Sequence, residues 1–130
     1  MFIPHIINDP TGHSALNELE LKMTAPGGLP IGDAALARQQ LAQQQVSYWQ
    51  IGHAVPGHFV DFAPVQGPTF MAVFSGQMNI TASNGEERQL VRGDMMMFED
   101  IGGQGHMTRF LGQDACNYLV VAMPGAIKQG

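Results

Sequence analysis

Apolar and polar residues alternate with a period of two along most of the chain, which predicts strands rather than helices. Phe2–Ile7 reads as an edge strand, closed by the turn Asn8-Asp9-Pro10-Thr11-Gly12. From Leu16 to Met23 the alternation continues, with Leu19 and Leu21 on one face and Glu18 and Glu20 on the other. Ala25-Pro26-Gly27-Gly28-Leu29-Pro30 is a loop. Asp33–Gln43 holds helix formers behind an Asp cap, without Gly or Pro, and predicts one short helix or, its apolar face being thin, an extended run. From Val46 onward every segment reads as strand: Val46–His53, His58–Phe62, Phe70–Ser75, Gln77–Ala82, Glu87–Val91, Met95–Phe98, His106–Leu111 and Asn117–Met123. Asn84-Gly85 is the strongest hairpin signal, on the expectation that both turn residues take positive φ. Strands this short, with no helix between them, predict antiparallel pairing in a sandwich or barrel.

Composition narrows the picture in a few places. With 130 residues the chain makes one domain, read as an N-terminal arm with edge strands over 1–45 and a barrel over 46–125. The 16 glycines and 8 prolines suit many turns, and 45% hydrophobic residues against 13% charged suit a globular core. A net charge of −5, with six Lys and Arg scattered along the chain, argues against nucleic acid as a partner. Cys116 is the single cysteine, so no internal disulfide forms; this fits a reducing compartment. The start lacks a signal-peptide pattern and no segment is long and apolar enough for a bilayer, so a cytoplasmic protein without membrane contact is expected.

Two glycine-framed stretches carry a resemblance. Gly57 and Gly76 stand at the separation of the first motif of the cupin superfamily, in which a His-x-His pair and a Glu lie between two glycines. Its three ligand slots fall here on Ala63, Val65 and Thr69. Gly93-Asp94-Met95-Met96-Met97-Phe98 fits the opening of the second motif, Glu99 takes its proline slot, and the loop runs two residues longer before His106. Phe110 stands where that motif has Asn. The wording Glu99-Asp100-Ile101-Gly102-Gly103-Gln104-Gly105-His106-Met107-Thr108-Arg109 is similar to a subgroup of small, uncharacterised single-domain cupins, as is Phe74-Ser75-Gly76-Gln77. The resemblance implies an all-β double-stranded β-helix, a jelly-roll barrel with antiparallel strands and a site in its mouth. It also implies a homodimer, with Phe2–Ile7 placed to swap or to add to a neighbour's sheet.

His106 is the one ligand position retained of four. It is a candidate acid–base in the barrel mouth, and a metal ligand only if a metal is bound. Three protein ligands are usual for a catalytic metal, so no cofactor is predicted; a divalent transition metal would need His53 or His58 beside His106. Asp61 has the parity of residue 63 and is the candidate carboxylate partner of His106, its plainer role being a solvated rim acid. Glu99 and Asp100 sit beside the glycine loop, either ordering it by accepting backbone N–H bonds or taking part in catalysis. Alternation puts Thr69 and Met71 on one face, and His106, Thr108 and Phe110 on another. With Met97 as an adaptable wall, and Tyr48 and Gln50 as hydrogen-bonding groups, these are the candidate ligand-binding residues. Cys116 reads as a packing residue.

Three functions follow as expectations. The first is a cupin that binds a small, largely apolar organic molecule and performs isomerase, lyase or cyclase chemistry through His106 without a metal. The second is a metal-dependent oxygenase or isomerase with non-standard ligands. The third is a ligand-binding module with no chemistry.

Overall fold

The computed structural model describes residues 1–26 and 37–129. Ten strands follow in chain order: β1 (Phe2–Asn8), β2 (Ser14–Glu20), β3 (Tyr48–Ala54), β4 (Phe59–Ala63), β5 (Thr69–Ser75), β6 (Gln77–Ala82), β7 (Glu87–Val91), β8 (Met95–Glu99), β9 (His106–Leu111) and β10 (Cys116–Ala122). They form a six-stranded sheet in the order β2-β1-β8-β5-β10-β3 and a four-stranded sheet in the order β4-β9-β6-β7. Taking β3 to β10 as eight strands, the first pairs with the last, the second with the seventh and the third with the sixth. That order is the jelly roll, two Greek keys folded into one double-stranded β-helix.

β1 and β2 widen the larger sheet. β1 pairs antiparallel with β2 on one side and parallel with β8 on the other, so Phe2–Ile7 is not an edge strand and the sheet is not wholly antiparallel. Pro4 marks the reason this strand reads as an edge: proline has no N–H to give a ladder. Here the pairing with β8 begins only at His5, one residue after it. Among the described residues, no helix is long and apolar enough to cross a membrane.

The larger sheet is covered on both faces around β1 and β8. Ile6, Val73, Met96 and Phe98 point inward and meet Ile80 and Phe110 of the smaller sheet. On the outer face Ile3, Met97, Leu21 and Met123 form a second cluster. β8 contributes to both, so it reads as an unbroken apolar run, as a doubly covered strand does. Each such side chain taken out of water contributes roughly 1.5–3 kcal/mol.

Two local expectations change. The hairpin forms at Asn84-Gly85, but only Gly85 is left-handed, at φ 95°; Asn84 is not. Gly85 N–H bonds to Ala82 O at 2.9 Å and Ala82 N–H to Glu86 O at 2.8 Å, so a turn ending in a glycine bulge replaces the two-residue form. Asp33–Leu36, the start of the expected helix, and most of the Ala25–Pro30 loop lie outside the described residues. Ala37 is helical, but from Arg38 to Gln43 the chain has no regular structure apart from the bridge between Gln40 and Thr24, so the second half of that helix does not form.

Candidate functional site

His106 opens β9 directly after Gly105, and the backbone there is tightly constrained. Gly105 has φ 81°, and a Cβ on it would stand 2.0 Å from the carbonyl carbon of Ala63. Only glycine fits, so this residue sets how closely the loop from Asp100 approaches β4. The approach brings Asp100 under the imidazole. Nδ1 of His106 lies 2.6 Å from Oδ2 of Asp100, whose side chain is 0% exposed. An ionised carboxylate only accepts, so Nδ1 carries the proton and the lone pair sits on Nε2. Phe98 holds the ring from one side, at 4.6 Å between centroids. Nε2 makes no hydrogen bond among the described residues.

The loop is clamped from outside by the β1–β2 turn. Asn8 Nδ2 donates to Ile101 O at 2.7 Å, Gln104 N–H to Gly12 O at 3.2 Å, and the buried Ser14 Oγ to Gly105 O at 2.7 Å. The turn is itself organised by Asp9. Its Oδ1 accepts from the Thr11 hydroxyl and N–H and from His13 N–H, and the Thr11 hydroxyl bond foremost holds this carboxyl below its usual range.

His106 faces a cavity of about 180 Å³ between the two sheets. Thr69, Met71 and Tyr118 of the larger sheet line it opposite Val60, Thr108 and Phe110 of the smaller, and Val65 closes one end. The wall is mostly apolar and carries neither an acid nor a base besides His106 and the Tyr118 phenol. Tyr118 stacks on Phe110, with 5.7 Å between centroids. Its ring lies over Gly52 of β3, where any Cβ would come within 2.2 Å of it. Burial, and then the nearby Cys116, push the Tyr118 hydroxyl up, so it stays a neutral donor through the physiological range.

Of the residues singled out in the sequence, Thr69, Met71, His106, Thr108 and Phe110 meet at this cavity. Tyr48 borders an adjoining hollow that shares Val65, Thr69 and Val120 with it, while Gln50 is exposed and outside the lining. Met97 is a correction: alternation along β8 turns Met96 and Phe98 inward, so Met97 faces the outer cluster and is 0% exposed. Asp61 is another. β4 pairs Val60 with Thr108 but Ala63 with His106, so a bulge lies between and residue 61 loses the parity of 63. Asp61 is exposed, its Oδ1 accepting only the Phe62 N–H. Asp100, not Asp61, is the partner of His106; it takes an imidazole proton rather than backbone N–H groups. Glu99 instead meets His5, Oε1 to Nε2 at 3.0 Å. The missed signal is an acid and a histidine at the two ends of one glycine-rich loop, six residues apart.

The same bulge bears on where His58 lies relative to His106. It turns His58 inward with Ala63, but at the far end of β4, where it stacks on Phe110, four residues and about 13 Å along β9 from His106. His53 is held by Asn117, Nδ1 to Oδ1 at 2.6 Å, and with His58 borders a separate hollow behind Phe110 and Tyr118. The motif positions do converge: Ala63 lies across from His106, and Val65 and Thr69 line its cavity. They bring no metal donors beyond one hydroxyl, and Thr69 Oγ1 donates to Gly67 O at 3.0 Å. Among the described residues no three His, Cys, Asp or Glu side chains are placed to hold a metal ion. The residues present do not fit the metal centre that cupins commonly carry.

No protein-family model and no curated protein matches the chain. Among solved structures, it is similar to a cupin superfamily protein from Desulfitobacterium hafniense, with 20% identity, TM-score 0.49, and 73% of this chain and 88% of that one covered. A cupin protein from Bacteroides fragilis shares 24% identity at TM-score 0.47, covering 68% and 74%. A conserved protein of unknown function from Streptococcus pyogenes shares 21% at TM-score 0.48, covering 66% and 72%. The strand order of the chain itself gives the fold: it is a jelly-roll barrel, a double-stranded β-helix.

Proposed function

We propose that the barrel binds a small, uncharged, single-ring organic molecule and that His106 moves a proton on it without a metal. The observation that carries this reading is the Asp100–His106 pair. A fully buried carboxylate fixes the tautomer and orientation of an imidazole whose free Nε2 faces an apolar cavity. That arrangement makes a general base, because Asp100 stabilises the imidazolium formed on protonation.

Size and lining support the substrate class. An apolar protein cavity of about 150 Å³ admits benzene, so about 180 Å³ suits one ring with a small substituent. No Lys or Arg lines the wall, which disfavours a carboxylate or phosphate ligand. The Thr108 and Tyr118 hydroxyls suit a carbonyl or hydroxyl group instead, while Thr69 Oγ1, its proton given to Gly67 O, offers only an acceptor. The step common to isomerases, lyases and cyclases of such molecules is proton abstraction beside a carbonyl. The C–H bond breaks, the proton goes to Nε2, and the electron pair passes into the enolate. The proton on Nε2 then exchanges with solvent, and a solvent-derived proton (a deuteron in D₂O) returns from Nε2 to carbon.

The test uses cyclohexanone as a one-ring probe in D₂O. Proton NMR should show exchange at its α-positions well above buffer, and the exchange should vanish in His106→Ala. Saturable binding, seen as a shift of the His106 ring proton but without exchange, would favour a ligand-binding module. Neither binding nor exchange across one-ring ketones and phenols would overturn the proposal.

A further inference from the structure

We infer that Gly52 and Tyr118 together set the size of ligand this barrel admits, the Tyr118 ring being the partition between two chambers. The inference rests on ligand binding beside His106, as proposed above, and names what limits that ligand to one ring. Two spaces lie side by side. A cavity of about 180 Å³ faces His106, and a hollow of about 310 Å³ is bordered by His53 and His58. Both are lined by Val60, Phe110 and Tyr118, which therefore stand between them.

Tyr118 differs from the other two. Phe110 is 3% exposed and belongs to the main core cluster, and Val60 is held by its pairing with Thr108. Tyr118 is only partly buried and packs against that cluster from its side. Its ring stacks on Phe110, which stacks in turn on His58 at 6.0 Å, so a row of three rings runs from the smaller sheet to the larger. The row ends on β3, where Tyr118 is in register with Gly52. A Cβ on that glycine would stand 2.2 Å from Cζ of the ring and 2.6 Å from its hydroxyl oxygen.

The backbone of Gly52 does not call for glycine. It lies inside a strand and outside the left-handed region, a place where glycine costs about 0.5–1 kcal/mol relative to alanine. What the glycine does is to admit the Tyr118 ring over its Cα. Phe110 stands on the other side of that ring, so a side chain at position 52 would drive the ring sideways into one chamber or the other. Size then decides what the partition does. An apolar cavity of about 150 Å³ admits benzene, so two fused rings need on the order of 250–300 Å³. The His106 cavity alone falls short of that, and the two chambers joined exceed it. The hollow is ligand space that Tyr118 withholds.

The test reads binding from the His106 ring signals in proton NMR, with cyclohexanone as the one-ring probe and β-tetralone as the fused two-ring probe. The wild type should bind cyclohexanone at least about tenfold more tightly than β-tetralone. Tyr118→Val should reverse that preference, because it joins the chambers and keeps a residue suited to a strand. Tyr118→Ala repeats the test if that variant fails to fold. Gly52→Ala should weaken cyclohexanone binding about tenfold in the wild-type chain and change nothing beside Tyr118→Val. A Gly52→Ala chain that folds only together with Tyr118→Val would support the same seating. A wild type that takes both probes alike, a Tyr118→Val variant that still rejects β-tetralone, or an equal Gly52→Ala loss in both backgrounds would each overturn the inference. The expected pattern without α-proton exchange would support the partition and sink the proton transfer alone.

Discussion

The Asp100–His106 loop and the seam, meaning the exposed apolar residues of β3 and β4, are built on opposite rules. The loop is polar and constrained. Its carbonyls are taken up by Asn8 and Ser14, its backbone is pressed against β4, and its one imidazole is aligned by a carboxylate at 2.6 Å. The seam is apolar and unpartnered, with aromatic side chains exposed on two adjacent strands. A barrel that only had to fold would need neither. Rigid polar support at one place indicates where orientation matters, because a proton-transfer group must be held closely. Exposed apolar surface at the other indicates where something must be excluded from water.

The sharpest way to break this contrast is Gly105→Ala. The new methyl group meets backbone at 2.0 Å, and φ 81° is itself unfavourable for alanine. The loop or β4 must move, and a loss of about 3–5 kcal/mol is expected from strain of this kind. Urea unfolding should show it as a large fall in midpoint, and any folded fraction should show a displaced His106 ring signal. The matching change at Gly57 (φ 91°, with open space around it) should cost only the backbone term, about 1–2 kcal/mol. Equal losses at the two glycines would mean that the loop is not pressed into place.

A smaller effect separates charge from packing at the same place. Asp100→Ala leaves Nδ1–H buried without an acceptor, and about 2–3 kcal/mol should be lost. Asp100→Asn keeps the volume and one acceptor oxygen, so stability should fall by less, about 1 kcal/mol. It should nevertheless suppress the cyclohexanone exchange, because a neutral amide does not stabilise the imidazolium. The other carboxylate oxygen, Oδ1, is buried and has no hydrogen-bond partner among the described residues. If Asp100→Asn exchanged deuterium as fast as the wild type, Asp100 would be only a structural support.

The contrast also explains which parts were legible in the sequence. Period-two alternation and turn residues placed the barrel strands to within a residue or two, and spacing brought Ala63, Val65, Thr69 and His106 to one place, because glycines fix where a strand can start and stop. What failed was a register carried across an irregularity. Parity assigned Asp61 inward, and a single bulge between Val60 and Ala63 reversed it. Met97 failed differently: a strand covered on both faces gives no alternation from which to choose the inner side. Asp100 was within view but read for backbone bonds, since the close return of the loop depends on how Gly105 packs against β4. The role of the β1–β2 turn in bracing that loop rests on contacts more than ninety residues apart in sequence, such as Asn8 to Ile101, and no local pattern carries these.

The smallest predicted effect lies on β10, the strand that brings Tyr118 to the cavity wall. Cys116 and Tyr118 are both on β10, and burial pushes both groups up from their ordinary values of 9.0 and 10.0. The unfolded chain therefore gives up these protons first. Stability from this pair is fully present below about pH 9 and is lost as pH rises through the unfolded and then the folded values. Urea midpoints measured near pH 8 and at about pH 10.5 should differ by less than the Asp100→Ala loss. Tyr118→Phe should flatten the fall partly, and Cys116→Ala should flatten it further when combined with it. A fall of unchanged size in the double variant would assign alkaline sensitivity elsewhere. It would also remove the main physical ground for treating the Tyr118 hydroxyl as a neutral donor, and the polar function of the cavity would then rest on the His106 side alone.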